Sequence, residues 1–410
     1  MAEHEVVITG LGAVTSLGRD IAALWDGLVA GRSGITTISS FDASGYPCRV
    51  AGEVRGYTPH PGLSPEVAAR LDRSALFAVD AALQALADSG LQIAPENAAH
   101  AGLVAGSARP GETAVWQAHA AFAAQGPQAL SPGYIGRTLP NAAAAQAAGA
   151  LGLRGPTIAV SAAGASGNVA LMQAAALVRH GEVQVAFAGG ADAPITPPAL
   201  AAFCAMTILT KHNDDPARAC RPFDADADGF ALAEGAAFVV LESAELARVR
   251  GARVYARLSG AASVTEPGAL VPSVEQAGES LRLALRQPAL LQREIDYFCA
   301  YAPGQPDLDR METDAIKRIF GELTASKLTV SAPKSMLGHM LGAAGVIDAI
   351  VCAKAIETGI IPPTINLDRP AEGCDLDYTP NEARRGPVRH AMCYGYGFGG
   401  HHVALCFSAP

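Results

Sequence analysis

The chain has 410 residues, half of them hydrophobic and 17% charged, with a formal net charge of -9. It is long enough for two core-forming units, and its acidic balance argues against nucleic acid as a partner. No apolar run reaches the roughly 20 residues of a membrane span and no long basic run suits a membrane surface, so no membrane association is expected. The start, Met1-Ala2-Glu3-His4-Glu5, has no targeting character, and a cytoplasmic location is expected.

In chain order, Glu5–Thr9 reads as a short apolar strand ending in Gly10-Leu11-Gly12, before a polar turn and a helix over residues 21–30. The G-x-G-x-x-G dinucleotide pattern fails at its last position, Thr15 or Ser16. Ser64–Ser89 reads as one helix with Ser64 as N-cap, and Gly102–Gly106 as a buried strand. Residues 107–141 form a long excursion rich in Gly and Pro, with a helical core at Thr113–Ala124. Excursions of this length in α/β proteins cover a site or form a subunit contact.

The most informative stretch follows. Thr157–Val160 is a strand, Ser161-Ala162-Ala163-Gly164-Ala165-Ser166-Gly167 a tight small-residue turn, and Asn168–Arg179 a helix with almost no polar face; Val183–Ala188 is the next strand. A strand, sharp turn and buried helix lift a nucleophile clear of a sheet and aim helix N–H groups at it. Here the apex is Gly164, which has no side chain to attack with.

The loop Arg221–Phe230 carries Asp224, Asp226 and Asp228 in alternation, but position 12 of the would-be calcium loop is Gly235, so a loop with internally paired charge is expected. Strand Ala237–Leu241 and a basic helix end near Ala244–Gly251 close a first half, 1–250. A similar order then repeats over 251–410: strands at Val254–Leu258, Ile295–Tyr301 and Leu328–Val330, helices at Val274–Leu285, Asp307–Phe320 and Gly342–Glu357, then Tyr394–Gly400 before a final strand, Val403–Phe407. Both halves read as βαβαβαβ units, an internal duplication with mixed or parallel sheets covered by helices. The eight cysteines are dispersed without a C-x-x-C pair and read as buried thiols; no metal and no cofactor are expected.

The order of VVITGLGAVTSLG, GLRGPTIAVSAAGASGNVALMQAA, AFAGGAD, RPFDADADGFALAEGAA, KSMLGHMLGAAG, PPTINLD and YGYGFGGHH resembles the β-ketoacyl synthases of fatty acid and polyketide synthesis, and the pieces span nearly the whole chain. The resemblance implies an α/β thiolase-like fold with duplicated halves in an αβαβα layered arrangement. It also implies a cysteine at the turn apex and two histidines, one in H-G-T-x-T and one in K-S-x-x-G-H. The second is His339, with its lysine Lys334; Tyr301 stands where the first belongs, and Gly164 where the cysteine belongs. Without a thiolate no acyl group can be taken from a carrier thioester, and without the first imidazole one donor for decarboxylation is lost. Cys204 lies 40 residues from the apex, outside the strand-turn-helix context, and is not a substitute. The oxyanion hole implied by the resemblance uses backbone N–H groups of Gly164 and Phe398. Lys334 and His339 also admit a purely structural reading, as members of a local network with Glu312. His401 and His402 replace the more usual Thr-Asn; adjacent on a strand, they point to opposite faces and cannot share a metal.

Such losses resemble the chain-length factors of type II polyketide synthases, which pair with a catalytic ketosynthase and close the tunnel in which the acyl chain grows. The expected partners are therefore a catalytic ketosynthase in a heterodimer, an acyl carrier protein and the growing acyl chain. Those factors commonly have Gln at the apex, and the retained KSMLGHMLGAAG points to a reduced or polyene system. By alignment Glu112, Val115, Trp116 and His119 are candidate tunnel-wall residues, although Trp116 also suits ordinary packing. Thr157, Ile158, Ala159, Val160 and Ser161 are expected to pair across the dimer axis. The alternatives are a malonyl-carrier-protein decarboxylase, a weakly active ketosynthase, or an ordinary ketosynthase stripped of its cysteine; Tyr301 speaks against the last.

Overall fold

The computed structural model describes residues 3–268 and 271–410. Ten strands form its central mixed sheet: β1 (Val6–Val14), β2 (Ala101–Gly106), β3 (Thr157–Val160), β4 (Val185–Asp192), β5 (Gly235–Ser243), β6 (Ala256–Thr265), β7 (Tyr297–Cys299), β8 (Thr329–Ser331), β9 (His390–Gly397) and β10 (His401–Ser408). Their spatial order is β8-β7-β9-β10-β6-β1-β5-β4-β2-β3. Read outward from the centre, β1-β5-β4-β2-β3 is repeated as β6-β10-β9-β7-β8. The strand directions repeat as well: two antiparallel pairings, then two parallel ones, in each half. The halves join where Val7 and Ile8 pair with Arg257 and Ala256.

Helices cover this sheet in layers. Between the halves lie α3 (Ser166–Arg179) and α7 (Ala344–Thr358), and α7 is buried without interruption from Ala344 to Ala353. A helix with so wide an apolar surface belongs in an interior. Leu171 and Ala174 of α3 and Val346 and Ile350 of α7 share one core with β1, β5, β9 and β10 side chains. The outer helices α1 (Arg73–Ser89), α5 (Val274–Arg286) and α6 (Pro306–Phe320) instead bury one face each. Two further helices, α2 (Glu112–Gln125) and α4 (Pro197–Ala205), lie in the excursion and just beyond β4. This is the layered thiolase-like arrangement that the motif order implies. Among the described residues no helix is long and apolar enough to cross a membrane.

Three elements differ from the sequence reading. The single helix expected over Ser64–Ser89 is a short turn, Pro65–Ala68, capped by Ser64, followed by α1, whose N-cap is Asp72. Asp72 is held outside the helix because it also accepts from Ala114 N, 2.9 Å away. β1 runs on through Gly10-Leu11-Gly12: a Cβ at Gly10 would sit 2.3 Å from Ala85 O, and at Gly12 2.0 Å from Ala81 O, so these glycines let α1 lie directly on the strand. Tyr394–Gly397 is the end of strand β9, which the dense glycines disguise.

Candidate functional site

The turn after β3 is closed by one hydroxyl. Ser166 Oγ accepts from Ala162 N (2.9 Å) and donates to Ala163 O (2.7 Å), while Ala163 takes the left-handed conformation at φ 48°. That conformation strains a non-glycine residue and persists where the surroundings fix it. The end of β9 supplies the pressure: a Cβ on Gly397 would fall 1.9 Å from Ala162 O. At the apex, a Cβ on Gly164 would lie 2.7 Å from Tyr396 O and 3.2 Å from His339 Nε2. Gly164 thus presents no nucleophilic atom, and backbone has closed to a distance that no side chain accepts.

His339 follows the short helix Lys334–Leu337 and is buried. Its Nδ1 accepts from Leu341 N at 3.1 Å, which places the ring hydrogen on Nε2, and Nε2 donates to Tyr301 Oη, 3.1 Å away. Burial, assisted by the nearby Lys334 charge, pushes the imidazole pKa down to about 3, so the ring is neutral at neutral pH. Tyr301 is anchored through its backbone: its N–H and that of Ala302 donate to the two oxygens of Glu312, each at 2.8 Å. Burial raises Glu312 to about 7 against those two donors. The Tyr301 phenol is likewise pushed far above its ordinary value by burial, which excludes it as a proton shuttle near neutral pH.

The network expected between Glu312, Lys334 and His339 is arranged differently. Lys334 Nζ pairs with Asp348 of α7 at 2.9 Å, and it lies 5.2 Å from the centre of the Tyr301 ring. Burial alone would neutralise the ammonium; Asp348 more than reverses this, and the lysine stays charged. Glu312 is committed to backbone because Tyr301 and Ala302 aim two N–H groups at it where β7 gives way to α6.

Gly164, Tyr301, His339 and Tyr396 border a cavity of about 270 Å³ with an apolar wall of Phe203, Met206, Phe230, Leu308 and Phe398. Phe203 and Met206 belong to α4 and the residue capping it, which composition alone does not mark as site-forming. Asp192 was not singled out either. It ends β4 with its carboxylate fully buried, accepting from Ser107 Oγ, Ala108 N, Arg109 N and Gly342 N within 2.9 Å, which ties the excursion to the turn before α7. An acid closing the otherwise apolar VAFAGGAD was the available signal.

The predicted wall residues stand apart from this cavity. Glu112 is buried and bonded to Arg109 (Nε 3.0 Å) and to Thr196 Oγ1 (3.3 Å); Val115 is half-buried and His119 exposed. Trp116 lines a second, more polar cavity of about 610 Å³ with Arg55, Tyr57, Arg73, Thr113 and Thr196. Arg109 borders the first cavity and Thr196 the second, so Glu112 sits between them. β3 is the outermost strand of the sheet, and its Ile158 is 37% exposed. His402 is buried between Tyr394 and Glu266, while His401 is half-exposed. In the aspartate-rich loop, Asp224 accepts from Arg221 and from the N–H groups of Asp226, Asp368 and Arg369.

The β-ketoacyl synthase N-terminal domain matches residues 3–247 and its C-terminal domain residues 255–368. The chain belongs to the β-ketoacyl synthase family. Within that family it is 38% identical to the 3-oxoacyl-[acyl-carrier-protein] synthase 2 of Coxiella burnetii, over 100% of this chain and 99% of the relative. It is 39% identical to the tetracenomycin polyketide synthase ketoacyl synthase alpha subunit of Streptomyces glaucescens, over 100% and 98%. The structure of the ishigamide ketosynthase/chain length factor superposes on it with a TM-score of 0.93 at 32% identity, covering both chains fully.

Proposed function

We propose that this chain is a non-catalytic ketosynthase-like subunit, a chain-length factor of a type II polyketide synthase that makes a reduced or polyene chain. It pairs with a cysteine-bearing ketosynthase, receives the acyl chain that this partner elongates on an acyl carrier protein, and walls the far end of the tunnel. The observation that carries this reading is the apex itself: Gly164 lacks a nucleophile, Tyr396 O lies where a side chain would need room, and the Nε2–H of His339 is spent on Tyr301. A group already hydrogen-bonded within the protein is unavailable to polarise a malonyl thioester, which disfavours the decarboxylase reading. Likeness to a ketosynthase/chain length factor and to a polyketide ketoacyl synthase supports the type II system. Identity to a 3-oxoacyl synthase, with the kept KSMLGHMLGAAG, supports a reduced product.

Pairing follows from β3. An exposed, apolar edge strand is an invitation to another strand, and Thr157–Ser161 offers one in the reading proposed here. Co-expression with a cysteine-bearing ketosynthase of a type II system, followed by native mass spectrometry, tests the pairing. A one-to-one complex is expected, lost in Ile158→Lys. A stable homodimer that ignores the ketosynthase contradicts the proposal.

A further inference from the structure

A cleft of about 480 Å³ opens at the entering ends of β7 and β8, between the one-turn helix Glu322–Ala325 and a short ribbon in which Ile360–Ile361 pairs with Arg384–Arg385. Tyr301 and Lys334 follow the opposite ends of the same two strands, and β8 lies at the other edge of the sheet from β3. An occupant of the cleft therefore meets neither the Gly164 cavity nor the β3 edge. The charges round the cleft run against the rest of the chain. The sequence holds 30 Lys and Arg against 39 Asp and Glu, yet four cations line the cleft, Arg293, Lys327, Arg384 and Arg385, with one acid, Asp296. Asp296 is committed to backbone, its Oδ2 accepting from Arg389 N at 2.7 Å and from His390 N at 3.1 Å. Asp377 neutralises Arg384, its Oδ1 accepting from Nη2 at 2.9 Å. Arg293, Lys327 and Arg385 are exposed and make no ion pair among the described residues. Elsewhere on the surface an exposed arginine finds a local carboxylate, as Arg282 does in Glu279 and Arg369 in Asp226. Like charges gathered without a counter-charge repel one another, and carboxylates of a partner relieve that repulsion.

The cleft also has an apolar side. Ile295, Leu328 and Ile361 line it from the core, and Leu323 stands on its rim, 74% exposed, more than any other large hydrophobic side chain among the described residues. Exposed apolar surface rimmed by polar groups marks an interaction site. Backbone hydrogen bonds fix both walls, Gly386 N to Gly359 O at 2.9 Å in the ribbon and Lys327 N to Thr324 O at 3.1 Å after the helical turn, and a preformed surface loses little freedom on binding. We propose that this cleft docks an acidic amphipathic segment of a partner protein, which seats an apolar side chain on Leu323 and places carboxylates opposite Arg293, Lys327 and Arg385. A bare polyanion would leave Leu323 in water, and a concave site suits a protein segment better than a flat lipid surface. The inference is independent of the chain-length reading, since it concerns the end of β7 and β8 away from the cavity.

Fluorescence anisotropy on the full chain tests this with a labelled synthetic helix of Glu, Leu and Ala, its leucines along one face and its glutamates beside them. Saturable binding is expected at physiological ionic strength, weakening as salt is added. Arg293→Glu, Lys327→Glu and Arg385→Glu combined, and Leu323→Ala alone, are each expected to weaken it at least about tenfold. Arg248→Glu reverses an exposed cation elsewhere that makes no ion pair among the described residues, and is expected to leave the affinity within about twofold. All of these side chains are exposed, so the fold is expected to survive, and an unchanged urea transition checks that. Four results would overturn the inference: no saturable binding, affinity kept within about twofold in the triple variant or in Leu323→Ala, an equal loss in Arg248→Glu, or equal affinity for the same helix with Ala in place of Leu, which marks a general polyanion surface.

Discussion

Tyr301 is the residue on which the site turns. In a buried pocket it takes the only ring hydrogen that His339 has to give, which under the proposed function makes the imidazole a structural group. The imidazole's folded pKa of about 3 lies below its ordinary value of about 6.5, which makes it a depressed group. Its contribution to stability is therefore complete above about pH 6.5 and is lost as the pH falls towards 3, where the unfolded ring binds a proton that the folded ring refuses. Comparing wild type with His339→Gln isolates this from the opposite trend of Glu312. The stability gap measured by urea denaturation is expected to narrow by about 2 kcal/mol between about pH 7.5 and about pH 5. A gap that stays constant would mean that the folded ring takes up its proton as readily as the unfolded one. Little of this was legible in the sequence. Gly164 could be read from its turn and Tyr301 from its place in the motif order, but the contact of Tyr301 with His339 joins residues 38 positions apart and depends on β7 lying beside β8.

At the scale of elements, the duplication was legible because each half repeats a strand, small-residue turn and buried helix. What the sequence hid were segments whose residues serve a neighbour. Gly10 and Gly12 look like a turn but admit α1 onto a strand, and Gly395 and Gly397 look like a loop but admit α3 and its turn onto β9. The α2 helix is the element whose role the proposed function specifies most closely. Its Glu112 separates the apolar cavity from the polar one, and Trp116 closes part of the latter. Trp116→Ala removes a large side chain from the wall of that second cavity. In the reconstituted pair it is expected to lengthen the carrier-bound product by one or more extension units, read by mass spectrometry; unchanged products would remove Trp116 from the wall.

At the scale of the whole molecule, two copies of one five-stranded unit are fused edge to edge, and their outer strands differ. The outer side of β8 is covered by the segment around Asp377, whose carbonyl accepts from Val330 N at 2.8 Å. β3 has no strand on its outer side among the described residues. The asymmetry leaves one edge of the sheet open, the edge assigned to a partner in the proposed function, and the turn at Gly164 begins where that edge ends. An intact scaffold, an open edge and an apex without a side chain are what the proposed function, a subunit that acts through another, rests on. The most direct test is condensation on malonyl-loaded acyl carrier protein by this chain alone, by the cysteine-bearing ketosynthase that pairs with it on co-expression alone, and by the two together. Elongated product of defined length is expected only from the pair, with neither condensation nor carbon dioxide release from this chain alone. Condensation by this chain without the ketosynthase, or the same product from the ketosynthase alone, would contradict the account.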